Sequence, residues 1–476
     1  MADIIVALGI RLGALIGTTT SGTQTMNHRP ISTVICLTLG LAACSGSEPE
    51  EPTSTVVAFE GATLITGDGG PPLGGGVLLV DDGVITAVGL AANTSIPEGA
   101  TVVDLSGKTV MPTLVDLHGH LGFMQNLSYD YANYTRENIT DQLNRYAYHG
   151  VGTIVSLGTD PGELAFTMQA DQRAGTLGGA RLHTAFRGIA RPNAGPGAPT
   201  MRQTALGAST EEEARALVAE IADTRADFVK IWVDDRGGSV DKLTAELYGP
   251  IIEEAHARQL QVIAHIFYQE DARELVEAGV DGFAHLPRDV VMDDALVAAI
   301  VENDVFVMPN LSISERGQHA MPPSWLDDPL LLESVSPQVL ARIRTSFENR
   351  SPEAANAATE SYAAMQRSLR KLAAAGAQLV LGADTGVQDH IQGFMEHREL
   401  ELIVEAGLSP AEAIALATSA PAAVLGVNTG LLAPGKRADF LVLDANPMYG
   451  ITNTRQISAV YLQGRALDRE GLRAAW

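Results

Sequence analysis

Residues 115–122 read VDLHGHLG, an apolar run that ends in two histidines separated by one glycine. Successive side chains of a β-strand point to opposite faces, so Asp116, His118 and His120 are expected on one face of a strand predicted over 113–119. Two imidazoles on one face suit a first-row divalent metal such as zinc. The pair alone is a weak signal, because a lone histidine is often a hydrogen-bonded core residue, so the rest of the chain decides.

Short apolar runs alternate with amphipathic helices along the middle of the chain. We predict seven further strands, over residues 151–158, 181–187, 227–233, 261–267, 282–286, 305–311 and 378–384. This alternation predicts an α/β fold, a (β/α)₈ TIM barrel with its active site at the carboxyl ends of the strands. The structural alternative is a doubly wound open sheet, which the lack of a G-x-G-x-x-G motif after the first strand disfavours.

Two helix starts carry capping signals. Ser209 followed by Glu212 predicts a capping box at the start of STEEEARALVAEIAD. Ser409, Pro410 and Glu412 predict a second capped helix start, with proline in its first turn.

Several other predicted strands end in residues that can bind a metal. Lys230 lies in DFVKIWV, where Val229 and Ile231 suit the helix side and leave the lysine on the inner face. A buried bare ammonium is costly unless it is paired or neutralised. The remaining strand ends supply three more candidate ligands: His265, His285 and Asp384. Four of the 11 histidines thus fall at three strand ends, which argues against four unrelated core histidines.

This set of residues resembles the amidohydrolase superfamily, and the later phrases EHRELELIVEAGLSPAEAIALAT and GLLAPGKRADFLVLDANP are similar to its imidazolonepropionase and Xaa-Pro dipeptidase branch. The resemblance implies two divalent metal ions, usually zinc. One would bind His118, His120 and Asp384, and the other His265 and His285. Lys230 would react with CO₂ to form a carbamate that bridges both metals, so a buried cation becomes an anionic ligand.

The resemblance also implies the reaction. A hydroxide that bridges the metals would attack an amide carbonyl, because the excess positive charge of the centre can hold the developing oxyanion. Asp384 is the expected catalytic residue, taking the proton during attack and delivering it to the leaving amine. A pure ligand role for Asp384 is the alternative.

Candidate substrate contacts follow three of the predicted strands: Arg187, Tyr268 and Arg288. An arginine can bind a carboxylate through two parallel hydrogen bonds, so we expect a dipeptide or an N-acyl amino acid as substrate. Surface or interdomain ion pairs are the alternative role for these residues.

Two other functions remain open. A phosphotriester or lactone hydrolase could use the same binuclear centre. A non-catalytic metal-binding surface lipoprotein is a third hypothesis, but such a protein should have lost ligands, and every expected position is filled.

The two ends of the chain share a different pattern, short apolar runs broken by glycine. We predict a small β-sandwich built from residues 56–110 and 426–474, with the hydrolase barrel spanning 111–425. The long stretch 312–353 after the seventh strand is expected to form either a lid or a surface loop.

The N-terminus resembles an export signal. The apolar stretch 31–43 is too short to span a bilayer and ends in Leu41-Ala42-Ala43-Cys44, which is similar to a bacterial lipobox. We predict a signal peptide over 1–43, with a possible true start at Met26, lipidation of Cys44 and a flexible tether over 44–55. The protein would then be lipid-anchored in the cell envelope. A cleaved signal and a periplasmic location form the alternative.

The formal net charge is −25, which disfavours nucleic acid as a partner. We expect a small-molecule amide substrate, contact with the membrane through the N-terminal lipid only, and a homo-oligomer.

Overall fold

Strands and helices alternate along the chain in the computed structural model, which describes residues 54–126 and 128–476. The predicted signal peptide, Cys44 and nearly all of the tether therefore lie outside the described residues. Among the described residues, no helix combines the length and apolarity that a membrane span requires.

The strands are, in chain order, β1 (Val57–Leu64), β2 (Leu73–Asp81), β3 (Val84–Leu90), β4 (Thr101–Asp104), β5 (Thr109–Pro112), β6 (Leu114–Gly119), β7 (Met124–Gln125), β8 (Ser128–Tyr129), β9 (Val151–Ser156), β10 (Arg181–Thr184), β11 (Ile189–Ala190), β12 (Leu206–Gly207), β13 (Val229–Val233), β14 (Val262–Ile266), β15 (Gly282–Ala284), β16 (Phe306–Met308), β17 (Phe440–Leu443), β18 (Ile457–Leu462) and β19 (Arg465–Ala466).

The α-helices are α1 (Arg136–Tyr148), α2 (Leu164–Arg173), α3 (Glu211–Asp223), α4 (Ala245–Ala257), α5 (Gln269–Glu277), α6 (Asp294–Glu302), α7 (Leu311–Glu315), α8 (Pro329–Ser334), α9 (Pro337–Glu348), α10 (Pro352–Ala375), α11 (Phe394–Glu405), α12 (Pro410–Ala417), α13 (Ser419–Leu425) and α14 (Arg469–Ala474). Short 3₁₀ turns cover Tyr131–Asn133, Pro199–Thr204, Arg316–Gln318, Ser324–Asp327 and Ile451–Arg455.

Parallel pairing joins the predicted inner strands in chain order. β6 pairs with β9 and β9 with β10, while β13, β14, β15 and β16 pair successively. The backbone N–H of Asp227 donates to the carbonyl of Thr184 over 2.8 Å, which links β10 to the residues before β13. The predicted strand 378–384 is not continuous: it forms isolated parallel bridges, Leu379 to Val307 of β16 and Thr385 to Gly119 of β6.

The two faces of these strands pack into different apolar clusters. The first, which we call the inner cluster, takes residues from every one of the eight segments: Val115, Leu117, Val155, Leu157, Ala185, Phe228, Ile263, Ala284, Phe306, Met308, Val380 and Ala422 of α13. Val229 and Ile231 instead join the larger cluster with the helices. The prediction that Val229 and Ile231 of β13 face the helices is therefore confirmed, and Phe228 faces the inner cluster.

Both ends of the chain contribute to one eight-stranded sheet, in the order β19-β18-β17-β5-β1-β2-β3, with β4 paired to β1. The rings of Phe59, Phe440 and Tyr461 meet in this sheet, with centroids 4.6–5.0 Å apart. The first ring comes from the N-terminal part and the other two from the C-terminal part, so this contact connects the two ends of the chain. The predicted domain boundaries themselves stay a prediction.

One predicted helix start is confirmed and the other is displaced by one residue. Ser409 and Glu412 form a capping box with Pro410 in the first turn. In α3 the capping pair is Thr210 with Glu213, not Ser209 with Glu212. The shift has a simple cause: Thr210 offers the same hydroxyl one residue later, and Glu213 also accepts the backbone N–H of Ser209 over 2.7 Å.

The insertion after β16 is helical. Residues 312–353 contain most of α7, all of α8 and α9, and the start of α10. Trp325, Leu326 and Phe347 of this stretch are buried together with Phe394 of α11. The insertion therefore has its own apolar core and is not an irregular surface loop.

The aromatic contact between the chain ends predicts a stability effect. Phe440 is fully buried, so Phe440→Ala should leave a cavity and lower the free energy of unfolding by about 3–5 kcal/mol. Urea unfolding followed by circular dichroism measures this. Tyr449→Ala is the control, because Tyr449 is 89% exposed and its loss should change little. Equal stability of the two variants would contradict the role given to the aromatic contact.

Candidate metal centre

The predicted ligands converge at the carboxyl ends of the parallel strands. Nε2 atoms of His118 and His120 lie 3.4 and 3.1 Å from Oδ1 of Asp384, and Nε2 of His285 lies 3.7 Å from its Oδ2. Ligand atoms of His118, His285 and Asp384 all fall within 4.8 Å of one another. Three residues far apart in the chain thus present donor atoms to one small volume.

His265 completes the group of four imidazoles. Its ring centroid lies 4.6 Å from that of His285, and the His285 ring lies 5.2 Å from that of His118. Nε2 of His265 points away from Asp384, toward a different carboxylate, Oδ2 of Asp234 at 2.9 Å.

Lys230 lies beneath this group with its amine enclosed. The side chain is fully buried, and its Nζ has no hydrogen-bond partner among the described residues. Burial lowers the pKa of Lys230 to about 7, against the opposing attraction of Asp384. Near neutral pH a substantial part of this amine is therefore uncharged and nucleophilic.

Two glycines make room for the lysine. A methyl group at Gly158 would lie 2.6 Å from Cγ of Lys230, and its φ of +91° disfavours any other residue. A methyl group at Gly188 would also meet Lys230, as well as the ring of Trp232. The two glycines therefore leave the space that the Lys230 side chain occupies, and Gly188 also leaves space for Trp232.

The imidazoles are held in the form that binds metals. Burial lowers the pKa values of His118, His265 and His285 well below the usual range, so their rings are neutral and carry lone pairs. Burial alone would raise the pKa of Asp384, but His118 and a hydrogen bond from His120 hold it well below its usual range. Neutral imidazoles beside one carboxylate match the ligand preference of zinc and related divalent ions.

The donor set fits a binuclear metal centre. Four imidazoles, one carboxylate and one buried amine surround one volume, and the Nζ of Lys230 has no hydrogen-bond partner among the described residues. His118, His120, His265, His285, Asp384 and, once carbamylated, Lys230 are the residues that would hold the ions.

Sequence reasoning missed the residues that orient these ligands. Asn310, buried and in the left-handed region at φ 49°, accepts the backbone N–H of His285 over 2.8 Å. Its amide nitrogen lies 3.2 Å from Nδ1 of His118. The hydroxyl of Thr159 lies 3.0 Å from Nδ1 of His120. The only sequence signal for both is their position at the end of a predicted strand.

The two-residue strand period predicts Asp116 on the same face as His118 and His120, but the structure places Asp116 elsewhere. Its carboxylate accepts the backbone N–H of His118 over 2.8 Å and lies beside the buried Glu396. The pairing of β6 with β9 shifts register between Asp116 and Gly119, which breaks the simple alternation. Burial raises the pKa of Glu396 to about 7, and burial together with the charge of Glu396 raises the pKa of Asp116 well above its usual range.

The predicted substrate contacts occupy three different environments. Arg187 donates to the carbonyls of residues 203–205, so its guanidinium holds a loop. The hydroxyl of Tyr268 donates to Asp235 over 3.0 Å. Arg288 lies beside the metal ligands, with Nη2 3.5 Å from Nε2 of His265.

Arg288 has no carboxylate partner among the described residues. Its Nη2 donates to the carbonyl of Ile266 over 3.0 Å, and its Nε is buried without a partner. Burial lowers the pKa of Arg288 to about 10. Sequence reasoning missed a second arginine, Arg236. Its Nε is also buried without a hydrogen-bond partner among the described residues, and the charge of Asp384 raises its pKa against the effect of burial.

His390 and His397 both make hydrogen bonds to backbone carbonyls. Nε2 of His397 lies 2.7 Å from the carbonyl of His149, and its Nδ1 3.0 Å from the hydroxyl of Thr454. Nε2 of His390 lies 3.0 Å from the carbonyl of Ala383, so it supports the backbone that carries Asp384.

Comparisons with known proteins point to one family. The sequence model of the amidohydrolase family matches residues 109–467. The enamidase of Eubacterium barkeri is 24% identical over 80% of this chain and 84% of its own length. The imidazolonepropionase of Streptomyces griseus is 25% identical over 81% of this chain and 91% of its own. The crystal structure of a putative prolidase from Bifidobacterium longum is 28% identical, with a TM-score of 0.71 over 89% of this chain and 99% of that one.

The unpartnered amine predicts an unusual stability effect in metal-free protein. Lys230→Met removes a buried group that lacks a partner, so it should raise the melting temperature in excess chelator and abolish metal binding. Because the pKa of Lys230 is lowered in the folded state, the melting temperature of the wild type should fall furthest below that of the variant at pH 7 and below.

That difference should shrink as pH rises from 7 toward 10, where the folded protein no longer carries the charge. Melting temperatures of both proteins across this range, measured with chelator, test the expectation. A wild type that is more stable than Lys230→Met at pH 6 would contradict it.

Proposed function

The chain belongs to the amidohydrolase family, and on that premise we propose that it is a metal-dependent hydrolase that cleaves the amide bond of a dipeptide or an N-acyl amino acid. One observation carries the proposal. His118, His265, His285, Asp384 and the unpartnered amine of Lys230 converge on one buried volume. A purely structural set of buried polar residues would satisfy its own hydrogen bonds, and this one leaves an amine unsatisfied.

The proposal includes a closed (β/α)₈ barrel. The segment 378–385 bonds to β16 on one side and to β6 on the other, and the inner cluster draws on all eight segments. These contacts support closure of the parallel strands into a ring around that cluster. The ligands then stand at the end of the ring where such enzymes place their chemistry.

The metal assignment follows the donors. We infer that His118, His120 and Asp384 hold one divalent ion, that His265 and His285 hold the other, and that a carbamate on Lys230 reaches both. Two bound zinc ions would acidify water to a pKa of roughly 7 and polarise the substrate carbonyl. The lowered pKa of Lys230 supports carbamate formation, since only the neutral amine reacts with CO₂.

Asp384 is the proposed proton carrier. Its low pKa keeps it ionised and able to accept a proton, and its two oxygens face different imidazoles. In the inferred reaction Asp384 accepts a proton as water attacks the amide carbon. The same carboxyl then donates that proton to the leaving nitrogen, which restores the carboxylate.

The substrate proposal depends on Arg288. A buried guanidinium without a carboxylate partner is costly unless a ligand supplies the anion. Its position beside His265 puts a substrate carboxylate within a few bonds of the attacked carbonyl, as in a dipeptide. The likeness to a putative prolidase at 28% identity supports a small peptide-like substrate.

Outside the described residues, we propose that the chain is exported and lipidated at Cys44. The support is the sequence Leu41-Ala42-Ala43-Cys44 after an apolar stretch. Incorporation of labelled fatty acid, lost in Cys44→Ser, tests this proposal.

Replacement of the proton carrier should separate chemistry from metal binding. Asp384→Asn keeps an oxygen ligand but cannot hold the proton, so amide hydrolysis should fall by at least 100-fold. Turnover and bound zinc, measured on the same preparation, check this. Normal turnover with normal zinc would contradict the catalytic role of Asp384.

The carboxylate contact predicts a substrate-dependent defect. Arg288→Met should raise KM for dipeptides or N-acyl amino acids by roughly 10- to 100-fold, because hydrogen bonds to charged groups contribute about 1.5–3 kcal/mol. The same substrates with an amidated C-terminus should be nearly unaffected. A screen of both sets on zinc-reconstituted protein provides the measurement.

Arg187→Met is the comparison variant, since Arg187 is bonded to loop carbonyls and its loss should affect acids and amides alike. If Arg288→Met raised KM equally for the acids and for the amidated substrates, the proposed contact between Arg288 and the substrate carboxylate would be contradicted. Turnover of phosphotriesters or lactones without turnover of any amide would replace the amide assignment.

A further inference from the structure

Asp234, which follows β13 directly, makes three contacts that the proposed chemistry does not use. It is 3% exposed, and its Oδ2 lies 2.9 Å from Nε2 of His265 and 2.8 Å from Nη1 of Arg236. Its Oδ1 accepts the backbone N–H of Arg236 over 2.8 Å. This buried carboxylate therefore stands between one metal ligand and one guanidinium.

The backbone is bent to make these contacts. Arg236 has a φ of 54°, in the left-handed region that arginine rarely adopts, and Gly237 and Gly238 continue at 69° and 80°. The hydrogen bond from the Arg236 N–H to Asp234 holds this turn. Nη2 of Arg236 donates to the carbonyl of Gly195 over 2.7 Å, so the guanidinium is fixed from two sides. This backbone conformation is strained for a residue other than glycine, so the contacts of the turn must hold it in place.

The ring nitrogens of the ligands are used in two different ways. His118 and His120 have Nδ1 beside Asn310 and Thr159, and turn Nε2 toward Asp384. His265 is reversed: Nε2 lies 2.9 Å from Oδ2 of Asp234, closer than Nη2 of Arg288 at 3.5 Å, and no hydrogen bond of Nδ1 is seen among the described residues.

We propose that Asp234 is a positioning residue that fixes the tautomer and orientation of His265. An ionised carboxylate can only accept, so Nε2 of His265 must carry the hydrogen, and Nδ1 is left with the lone pair that binds a metal ion. The proposal rests on the metal-binding part of the proposed function. Partners of this kind typically change metal affinity by 10- to 100-fold when they are lost.

Arg236 stabilises the contact between Asp234 and His265. The carboxylate of Asp234 keeps its direction, because the guanidinium that it contacts is also anchored on the carbonyl of Gly195. A buried ion pair adds little net stability compared with apolar residues of similar size. The Asp234–Arg236 pair is therefore better explained by the direction it gives to His265 than by stability.

Three variants and one matched control test the proposal. Asp234→Asn and Asp234→Ala should weaken the binding of one of two zinc ions by 10- to 100-fold, measured by competition with a chromophoric chelator. Asp234→Glu, which keeps the carboxylate, should recover part of that affinity. The control is Asp227→Asn, which removes a His–Asp contact of the same length, 2.9 Å to Nδ1 of His183, away from the ligands.

A second readout does not depend on metal. In metal-free protein with ¹⁵N-labelled histidine, the wild type should show His265 protonated at Nε2, with the signal assigned by its absence in His265→Gln. Asp234→Asn should convert it to a mixture of tautomers, and Asp227→Asn should not. Circular dichroism checks that each variant is folded.

The outcomes are distinguishable. Wild-type zinc affinity together with an unchanged His265 tautomer in Asp234→Asn would overturn the positioning role and leave the proposed function intact. A wild-type protein that binds no zinc would overturn both. Equal loss of zinc in Asp227→Asn would show a general effect of losing a carboxylate that contacts a histidine, and it would also overturn the proposal.

Discussion

The buried amine of Lys230 is the constraint on which the rest of the centre depends. An ammonium taken out of water without a partner is among the most costly groups a protein can bury, and here the amine has no hydrogen-bond partner in the described part of the chain. The surrounding strands nevertheless make space for it, with Gly158 and Gly188 where any side chain would collide with it. A fold that keeps such a group must use its neutral form, and the lowered pKa supplies that form near neutral pH.

The same burial acts in opposite ways on the neighbouring groups. It lowers the pKa values of His118 and His285, whereas the pKa of Asp384 is held well below its usual range by its contacts with His118 and His120. Burial in one volume thus lowers the pKa values of Lys230 and His118, while the pKa of Asp384 is also low because of its contacts. Residues outside this volume each contact one ring nitrogen: Asn310 contacts His118, Thr159 contacts His120 and Asp234 contacts His265.

The sequence is most informative where one local period decides the structure. Alternation along DFVKIWV correctly places Val229 and Ile231 toward the helices, because the strand is regular and buried along its whole length. The same rule fails at Asp116, where a register shift intervenes, and at Ser209, where a second hydroxyl follows immediately. Asn310 lies 192 residues from His118, and no local pattern encodes a contact across that distance.

The arginines show how charge and position together limit the chemistry. Arg187, Arg236 and Arg288 all follow inner strands, yet the first holds a loop and the second holds Asp234. Only Arg288 of these three has neither a carboxylate partner nor a full set of backbone acceptors. Since burial has already weakened its hydration, an incoming anion would replace less water there than at an exposed arginine. This feature of Arg288 supports the proposed substrate, in which a carboxylate lies close to the bond that is cleaved.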